Sequence, residues 1–465
     1  MTLQASGEST RIRPTIFWSR QALNRLFVTS VALVVLDTVR KDLFDELFDW
    51  LPGVAVENAY SPANFTSPAH ASMFTGTYPS RHGVTPRQKS LDSADTVLAE
   101  RLDEMGVKTV GISTNTHISR YWGFDRGFDL FSERSETGRM LSQSNVDWIQ
   151  LVRDADSRSV VEVLEACLRS GHSVKSLWVG AELKYYDHPV LGTLFSGAQD
   201  SGATAVQSFI EDRCVRDPEF LFVNLMEAHS PYDPPEKYWS GDGVQLSGLA
   251  ESLGTAPSTE TIDRAYRAAC RYLSDKYERI FDDIRDEYDY IITCSDHGEL
   301  LGEHGYYAHE YGLYPELVQV PLVISGPSVR DRSVDNLLSL TGIFDLVVDL
   351  FHGATVRDAL DVVSEDRCFT EFHGLDPNRR DRLISEGYSS DVLASHDTVL
   401  AGAADSAGYV YGGVDGFEGD SDDDALLSAA QEHRDRLVID PSETDTHPAD
   451  LPEDVRRQLD TLGYI

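Results

Sequence analysis

The sequence predicts an α/β fold in which a mostly parallel central sheet is flanked by helices and followed by a smaller C-terminal α+β subdomain. Short apolar runs rich in β-branched and aromatic residues are typical of buried strands, and here they alternate with longer helical patterns. Polar residues follow several of these runs directly, as they do at the carboxyl edge of an open α/β sheet. The composition changes after about residue 360, which separates the smaller unit.

The first predicted strand is the apolar run Val31–Leu36, which ends at Asp37. Pro68 suits the first turn of a short helix, and Gly76 suits its end. Strand and helix patterns then alternate, which favours parallel strands joined by crossover helices. The other predicted strands are residues 108–114, 220–225, 288–293 and 320–324, with 367–372 and 408–411 in the smaller unit, and the longer predicted helices are residues 95–105 and 259–287.

The chain divides into three predicted parts. Residues 1–28 are weakly patterned and form an N-terminal extension, whereas residues 29–360 form the main domain, which carries the motifs. Residues 361–465 form the smaller C-terminal subdomain. Residues 140–215 of the main domain are mostly amphipathic helix with few motifs, so we expect a helical insertion or a lid over the functional site.

The chain of 465 residues is strongly acidic, because 77 Asp and Glu against 40 Lys and Arg give a formal net charge of -37. So negative a surface excludes nucleic acid as a partner, since phosphate contacts need a basic face. Only seven of the basic residues are lysines, and the acidic residues are spread along the chain. Both features favour a protein of a salt-rich cytosol, where ions screen the repulsion. An ordinary acidic surface is the alternative.

The cysteines and the apolar runs indicate the cellular compartment in which the protein is expected. The five cysteines include no Cys-x-x-Cys pair, so neither a disulfide framework nor a cysteine zinc site is predicted. No secretory signal is recognisable, and the first apolar run, residues 27–36, is too short to span a bilayer. We therefore expect a soluble cytoplasmic protein without a transmembrane segment. The sequence leaves the oligomeric state open.

Carboxylate and imidazole side chains gather at the predicted carboxyl edge of the sheet. Asp37 follows the first strand, Glu227 and His229 follow the third, and Asp296 and His297 follow the fourth. Taken singly, an Asp after a strand is often a helix cap, and Asp-His-Gly is often only a turn. Their joint occurrence at one edge predicts a site for a divalent metal ion.

Thr66 and Ser67 lie at or just before the start of the short helix that contains Pro68. A helix N-terminus offers N–H donors to an anion, and a hydroxyl beside a metal ion loses its proton more easily. Thr66 is therefore a candidate nucleophile. The alternative is that Thr66 or Ser67 only caps the helix.

Six runs of the chain occur in a characteristic order: VVLDTVRKD (34–42), TSPAHASMFTGTYPSRHG (66–83), GFDRGFD (123–129), FLFVNLMEAHSPYDPP (220–235), SDHGELLGEHG (295–305) and LYPELVQVPLVI (313–324). Together they resemble the sulfatase family of the alkaline phosphatase superfamily, and the ending LDTLGYI is similar to family tails. The similarity is weakest across residues 140–215 and 375–450. The resemblance implies an alkaline phosphatase/sulfatase-like fold.

The resemblance also implies roles for individual residues at the predicted edge of the sheet. Thr66 falls at the nucleophile position, and His229 and His304 match catalytic histidines. The implied metal ligands are Asp37, Thr66, Asp296 and His297, and the implied substrate-binding residues are His70, Asn115 and His309.

The chain departs from the family pattern at several of these positions. Thr66 stands where formylglycine sulfatases carry Cys or Ser, so no formylglycine is expected, and His70 replaces the arginine of that motif. The family's sulfate-binding lysines have no clear counterpart. His297 stands where many sulfatases have Asn, which favours Mn²⁺ or Zn²⁺ over Ca²⁺, with Mg²⁺ also open. The expected cofactor is one divalent metal ion, and a second is left open.

These features predict a metal-dependent hydrolase or transferase of sulfate or phosphate esters with Thr66 as the nucleophile. Threonine nucleophiles occur among the phosphodiesterases and phosphoglycerol transferases of the superfamily. Two alternatives are a true sulfatase with atypical anion binding and a non-catalytic family member that binds an anion. The expected partner is an anionic small-molecule, glycan or lipid-headgroup ester.

Overall fold

The structure is a computed structural model that describes residues 29–133, 202–211, 219–437 and Arg456. The strands within these residues are β1 (Val31–Leu36), β2 (Val54–Tyr60), β3 (Thr109–Ser113), β4 (Leu130–Glu133), β5 (Phe220–Leu225), β6 (Tyr290–Cys294), β7 (Leu300–Leu301), β8 (Tyr307–Ala308), β9 (Leu322–Ser325), β10 (Arg332–Ser339), β11 (Cys368–His373), β12 (Val399–Asp405), β13 (Gly408–Gly413) and β14 (Gly416–Gly419).

The helices of the same ranges are α1 (Lys41–Leu47), α2 (Thr66–Thr75), α3 (Pro79–His82), α4 (Leu98–Glu104), α5 (Ala203–Glu211), α6 (Leu249–Leu253), α7 (Thr259–Ile284), α8 (Pro315–Val318), α9 (Ile343–Phe351), α10 (Val356–Val363), α11 (Pro377–Ser385), α12 (Ser390–His396) and α13 (Asp424–Arg434). Short 3₁₀ turns occur at Arg120–Trp122, Glu303–Gly305 and Leu340–Gly342. As the sequence predicts, α2 ends at Gly76, which takes the left-handed conformation (φ 67°) that glycine tolerates best.

The main sheet of the described residues has the strand order β10-β2-β9-β6-β1-β5-β3-β4. Only β9 runs antiparallel to its neighbours, and the other pairs are parallel. The mostly parallel α/β sheet is therefore confirmed. The strand predicted at 320–324 is the antiparallel one and spans Leu322–Ser325.

The central strand β1 is buried along its whole length. Successive side chains of a strand point to opposite faces, so β1 contributes to two apolar layers. Val34 lies in the layer that includes residues of α1 and α7, and Val35 lies in the layer that includes residues of α2 and α9. Helices therefore cover both faces of the sheet, as predicted.

The carboxyl ends of β1, β5 and β6 meet at one edge of the main sheet, because these strands are adjacent and parallel. Asp37 directly follows β1, and its backbone N–H donates to Leu225 O at 2.8 Å, which continues the ladder to β5. Asp296 and His297 come just after β6. The fold thus brings the polar residues of distant sequence segments to one place.

Several predictions concern segments that the structure does not describe. The N-terminal extension, residues 1–28, and most of the predicted insertion, residues 140–215, lie outside the described residues, and the division at residue 360 stays a prediction. Within the insertion, α5 is helical and contacts α7, where Lys276 Nζ donates to Thr204 Oγ1 at 3.0 Å. In the described ranges, no helix is both long and apolar enough to cross a bilayer.

Strands β11 to β14 form an antiparallel sheet that packs against α13, which confirms the smaller α+β unit. Glu371 of β11 connects this unit to the main body. Its carboxylate accepts hydrogen bonds from Ser80 N and Ser80 Oγ, each at 2.7 Å. It also accepts from His373 Nε2 at 2.8 Å and from His433 Nε2 at 2.9 Å. One buried carboxylate therefore links α3, β11 and α13.

We expect Glu371→Gln to lower the free energy of unfolding by about 2–4 kcal/mol near neutral pH, because charge-assisted hydrogen bonds are worth about 1.5–3 kcal/mol each. Burial opposes ionisation of Glu371, but the hydrogen bonds from His373 and His433 outweigh it and lower its pKa to about 2. An unfolded glutamate has a pKa of about 4.3, so this stabilisation is present above about pH 4.3 and is lost as the pH falls toward 2.

Denaturant unfolding of both proteins across this pH range checks the prediction. The difference in unfolding free energy between wild type and Glu371→Gln should shrink as the solution becomes acidic. A difference that stays constant down to about pH 3 would show that the ionised carboxylate contributes nothing.

Candidate active site

Asp37, Asp296 and His297 form a fully buried group, the candidate metal group, at the carboxyl edge of the main sheet. One possible ligand atom from each residue lies within 4.8 Å of the other two. Asp37 Oδ2 accepts a hydrogen bond from Asn115 Nδ2 at 2.6 Å. Asp296 Oδ1 accepts from the backbone N–H groups of Thr38, at 3.2 Å, and of His297, at 2.9 Å. The structure therefore brings together three of the predicted metal ligands.

The remaining carboxylate oxygens of this group fit a cation. Within the described residues, neither Asp37 Oδ1 nor Asp296 Oδ2 has a hydrogen-bond partner, although both are buried. Burial, together with the charge of Asp296, raises the pKa of Asp37 to about 6, and burial raises the pKa of Asp296 to about 7. Buried carboxylates are costly unless a cation balances them, so this donor set fits a divalent metal ion.

His297 can offer a nitrogen lone pair to a metal ion that this group would hold. Its Nδ1 lies 2.9 Å from Gly298 O, which can only accept, so Nδ1 carries the proton and Nε2 carries the lone pair. His297 Nε2 lies 3.5 Å from Asp296 Oδ2. A tautomer fixed by a backbone carbonyl is typical of metal-ligating histidines. Burial lowers the pKa of His297 to about 4, so the imidazole is neutral at pH 7.

The turn after β1 has an unusual backbone conformation. Thr38 has a φ of 60°, which is an outlier for a β-branched residue and costs roughly 1–3 kcal/mol. Tyr266 OH donates to Thr38 O at 2.7 Å and accepts from Arg40 N at 3.1 Å. Thr38 Oγ1 donates to Asp37 O at 2.7 Å. These bonds hold the strained turn, in which the Thr38 N–H donates to the Asp296 carboxylate.

Thr66 is the first residue of α2 and is fully buried beside the metal group. Its Oγ1 lies 3.2 Å from His297 Nε2 and donates to that lone pair. Phe65, which has no side-chain acceptor, occupies the N-cap position. Ser67 Oγ is buried and has no hydrogen-bond partner in the part of the chain that the structure describes. The structure thus contradicts the alternative in which Thr66 or Ser67 caps the helix.

His70 lies one turn further along α2 and is also fully buried. Its Nδ1 donates to Thr66 O at 3.0 Å and lies 3.5 Å from Asp296 Oδ2. Its Nε2 accepts from Asn224 Nδ2 at 3.4 Å. Protein groups engage both ring nitrogens, so the geometry favours a positioning role for His70 over the predicted substrate contact.

Two further imidazoles lie beside the metal group. The ring centroid of His309 is 4.4 Å from that of His297 and 5.2 Å from that of His229. His309 Nδ1 donates to Glu299 Oε1 at 2.9 Å, and Tyr232 OH donates to Glu299 Oε2 at 2.9 Å. Glu299 therefore fixes the orientation of His309. His229 is held differently, because its Nδ1 donates to the neighbouring backbone oxygen of Ser230 at 2.5 Å.

Two residues singled out in the sequence lie outside this group. The His304 side chain is 38% exposed, its Nε2 lies 3.3 Å from Glu316, and its ring stacks on Tyr314 at 4.2 Å. The structure therefore does not bring His304, a predicted catalytic residue, to the site. Glu227 Oε1 accepts a hydrogen bond from the backbone N–H of Ala203 at the start of α5, and Glu227 does not belong to the metal group.

Glu299 is a candidate site residue that the sequence motifs did not single out. It is fully buried and holds His309, and burial raises its pKa to about 7. Glu299 occurs in the run SDHGELLGEHG, which also contains Asp296 and His297. Its place in this run is the sequence feature that could have identified it as a candidate. The hydrogen bonds to His309 and Tyr232 depend on long-range packing that the run alone does not show.

Comparisons with known proteins bear on this arrangement. The sequence profile of the Sulfatase family matches residues 44–354. The uncharacterized sulfatase YidJ of Escherichia coli (strain K12) is 23% identical over 312 residues, which cover 62% of this chain and 58% of that protein. A choline-sulfatase of Rhizobium meliloti (strain 1021) is 24% identical over 303 residues, which cover 58% and 55% respectively. The chain thus spans less than two thirds of the length of these curated relatives.

A solved structure supports the fold. The phosphonate monoester hydrolase of Agrobacterium radiobacter superposes with a TM-score of 0.53 at 19% sequence identity. The superposition covers 83% of this chain and 87% of that one. At this identity, the similarity concerns the arrangement of the main sheet and its helices.

Proposed function

Because the chain belongs to the sulfatase family, we propose that it is a metal-dependent enzyme that hydrolyses or transfers sulfate or phosphate esters, with Thr66 as the nucleophile. The observation that carries the proposal is the 3.2 Å contact between Thr66 Oγ1 and His297 Nε2, beside the buried carboxylates of Asp37 and Asp296. A hydroxyl at a helix N-terminus beside a cation site is well placed for covalent catalysis on an anionic ester.

Asp37, Asp296, His297 and Thr66 would together hold one divalent metal ion. When bound, such an ion neutralises charge on the ester and makes a nearby hydroxyl easier to deprotonate. The imidazole among the ligands supports Mn²⁺ or Zn²⁺ over Ca²⁺ or Mg²⁺. The two carboxylate oxygens without a hydrogen-bond partner among the described residues support this assignment independently of the family.

The chain's own groups supply the remaining chemistry. The Thr66 oxygen attacks phosphorus or sulfur as the bond to the leaving alcohol breaks, and the proton that the Thr66 hydroxyl loses is passed to the leaving oxygen. The first N–H groups of α2 have no acceptor within the helix and can donate to the anion. His309, oriented by Glu299, and His229 are the candidates that take up the Thr66 proton and return it to the leaving oxygen, because burial lowers the pKa of each imidazole and keeps it neutral, with Nδ1 as the donor. Water then releases the adduct from Thr66, or an acceptor alcohol takes it in a transfer reaction.

We further propose that phosphodiester or phosphonate substrates react faster than sulfate esters. Thr66 cannot become formylglycine, so it lacks the second hydroxyl from which a sulfate adduct is normally released by elimination. The adduct must instead be released by direct attack at phosphorus or sulfur. That route is familiar for phosphoryl enzymes and less suited to sulfate.

A turnover panel in molar KCl tests the proposed function. It compares a sulfate monoester, a phosphate monoester, a phosphodiester and a phosphonate ester, each with Ca²⁺, Mg²⁺, Mn²⁺ and Zn²⁺. We expect the phosphodiester or the phosphonate ester with Mn²⁺ or Zn²⁺ to be the fastest combination. Exclusive turnover of the sulfate monoester would favour the true sulfatase, and binding without turnover of any ester would favour the non-catalytic alternative.

The acidic composition carries a separate proposal about where the protein works. With a net charge of -37, the folded chain repels itself in dilute buffer, and salt screens this repulsion. We propose a salt-rich cytosol as its working environment and expect the melting temperature to rise steadily from dilute buffer to molar KCl. Thermal melts across KCl concentration check this, and a melting temperature that is highest in dilute buffer would contradict the proposal.

A further inference from the structure

The hydroxyl of Tyr266 contacts the backbone of the turn that follows β1. Tyr266 lies in α7, 228 positions after Thr38 in the sequence, and its side chain is fully buried. The hydroxyl donates to Thr38 O at 2.7 Å and accepts from Arg40 N at 3.1 Å. Tyr266 therefore attaches the short turn of residues 38–40 to a long helix of the main domain.

This turn supplies one of the hydrogen bonds that orient a proposed metal ligand. Thr38 N donates to Asp296 Oδ1 at 3.2 Å, and His297 N donates to the same oxygen at 2.9 Å. The other oxygen, Asp296 Oδ2, lies 3.5 Å from His297 Nε2 in the candidate metal group. The Thr38 N–H thus helps to fix which oxygen of Asp296 faces the proposed metal ion.

The turn keeps this position in a costly backbone conformation. Thr38 has a φ of 60°, a value that a β-branched residue rarely adopts. A return to the usual negative φ would reorient the peptide groups on both sides of Thr38, including the N–H that reaches Asp296. A strained conformation persists only where the surrounding structure holds it, and the two bonds of the Tyr266 hydroxyl provide such a restraint.

The side chain of Tyr266 is itself fixed by close packing. Its ring centroid lies 5.3 Å from that of Tyr232, and the two ring planes are 60° apart. Tyr266 also belongs to the apolar layer that contains Val34 and Leu36 of β1. The hydroxyl therefore has a defined position from which to hold the turn.

We infer that Tyr266 is a positioning residue that sets the metal affinity of the site, because its hydroxyl holds Thr38 in the conformation that orients Asp296. The inference rests on the proposed function, which includes the divalent metal ion. Removal of a group that orients a metal ligand commonly weakens metal binding by about 10–100-fold. Tyr266 acts through one intervening residue, so we expect a loss near the lower end of this range, roughly ten-fold.

The first test is Tyr266→Phe, which removes the hydroxyl and keeps the ring in the apolar layer. Calorimetry with the metal-free proteins in molar KCl would measure the affinity for Mn²⁺. We expect the variant to bind Mn²⁺ roughly ten-fold more weakly than wild type. This measurement requires no turnover, and a folded variant with the wild-type affinity would overturn the inference.

Tyr277→Phe is the matched control. Tyr277 is fully buried in the same helix, and its hydroxyl forms a hydrogen bond with Thr293 Oγ1 of β6 instead of contacting the turn. Each variant loses one buried hydroxyl, so both should have a lower melting temperature, whereas only Tyr266→Phe should weaken Mn²⁺ binding. An equal loss of affinity in both variants would contradict the positioning role.

Thr38→Gly tests the route from Tyr266 to Asp296. Glycine adopts a φ of 60° without strain, so a turn with glycine depends less on the bonds of the Tyr266 hydroxyl. In the Thr38→Gly protein, the further change Tyr266→Phe should therefore weaken Mn²⁺ binding by less than about three-fold. A further loss as large as that caused by Tyr266→Phe alone would overturn the proposed route.

Hydrogen exchange of the metal-free wild type tests the same restraint if Tyr266→Phe does not fold. We expect the Arg40 N–H, which donates to the Tyr266 hydroxyl, to be protected before any metal ion binds. Rapid exchange of this amide in the metal-free protein would show that Tyr266 does not hold the turn.

The positioning role and the proposed reaction can fail separately. Weaker Mn²⁺ binding by Tyr266→Phe, without turnover of any ester by wild type, would support the positioning role and overturn the proposed reaction. Turnover through Thr66, with Mn²⁺ bound equally well by wild type and Tyr266→Phe, would support the reaction and overturn the positioning role.

Discussion

Replacing Thr66 by Ala is expected to lower kcat on the best ester by roughly three or more orders of magnitude, as removal of a nucleophile does in other enzymes. The melting temperature should change little, because the Thr66 hydroxyl bonds to His297 Nε2 and to the Asp296 carboxylate, and such bonds are worth about 1 kcal/mol each. Steady-state kinetics and thermal melts of the two proteins measure both quantities.

Two variants control the interpretation of Thr66→Ala. Thr66→Ser keeps the hydroxyl at the start of α2 and should retain a substantial part of the activity. Ser67→Ala removes the neighbouring buried hydroxyl, which has no hydrogen-bond partner among the described residues, and should leave both activity and stability close to wild type. Retention of most of the activity by Thr66→Ala would assign the nucleophile elsewhere.

Asp296→Ala should abolish both metal binding and activity while the fold stays intact. The Asp296 carboxylate supplies a buried oxygen without a hydrogen-bond partner in the described ranges, and burial raises its pKa to about 7. Its removal therefore deletes a ligand without exposing the apolar core. Elemental analysis and turnover of wild type and variant measure the effect, and an unchanged metal content would show that the ligand assignment is wrong.

Two conservative variants distinguish the loss of a metal ligand from a general disturbance of the buried site. Asp296→Asn keeps an acceptor for the backbone N–H groups of Thr38 and His297 but removes the charge, so it should also weaken metal binding strongly. Glu299→Gln changes another fully buried carboxylate that holds His309 but lies outside the metal group. We expect it to retain the metal ion and to lose activity above about pH 7, where the wild-type carboxylate is ionised and holds His309 more strongly than a neutral amide does.

The central sheet and the metal group could be predicted because both follow from local patterns. Buried parallel strands are continuous apolar runs, and residues that follow adjacent parallel strands reach the same edge. Asp37, Asp296 and His297 each come at or just after such an end, so the sequence was enough to bring them together. Thr66 was found by its register in the family motif and by the helix that begins there.

The fold does not bring His304, which the sequence predicts as a catalytic residue, to the candidate site, and the reason lies in the backbone geometry. His304 lies in the short turn Glu303–Gly305 with a left-handed φ of 57°, and its side chain pairs with Glu316. Nothing in the residue types of this run specifies that turn. Glu299 was not predicted, because its contacts with His309 and Tyr232 form only in the folded chain.

The central claim is that Thr66 forms a covalent bond to the substrate. The most direct test is to quench the metal-loaded enzyme with acid during turnover of a phosphodiester and to locate any adduct in its peptides by mass spectrometry. We expect a phosphoryl adduct on Thr66 in the wild type and none in Thr66→Ala. An unmodified Thr66 throughout turnover, together with a Thr66→Ala protein that still consumes the phosphodiester, would contradict the proposed mechanism.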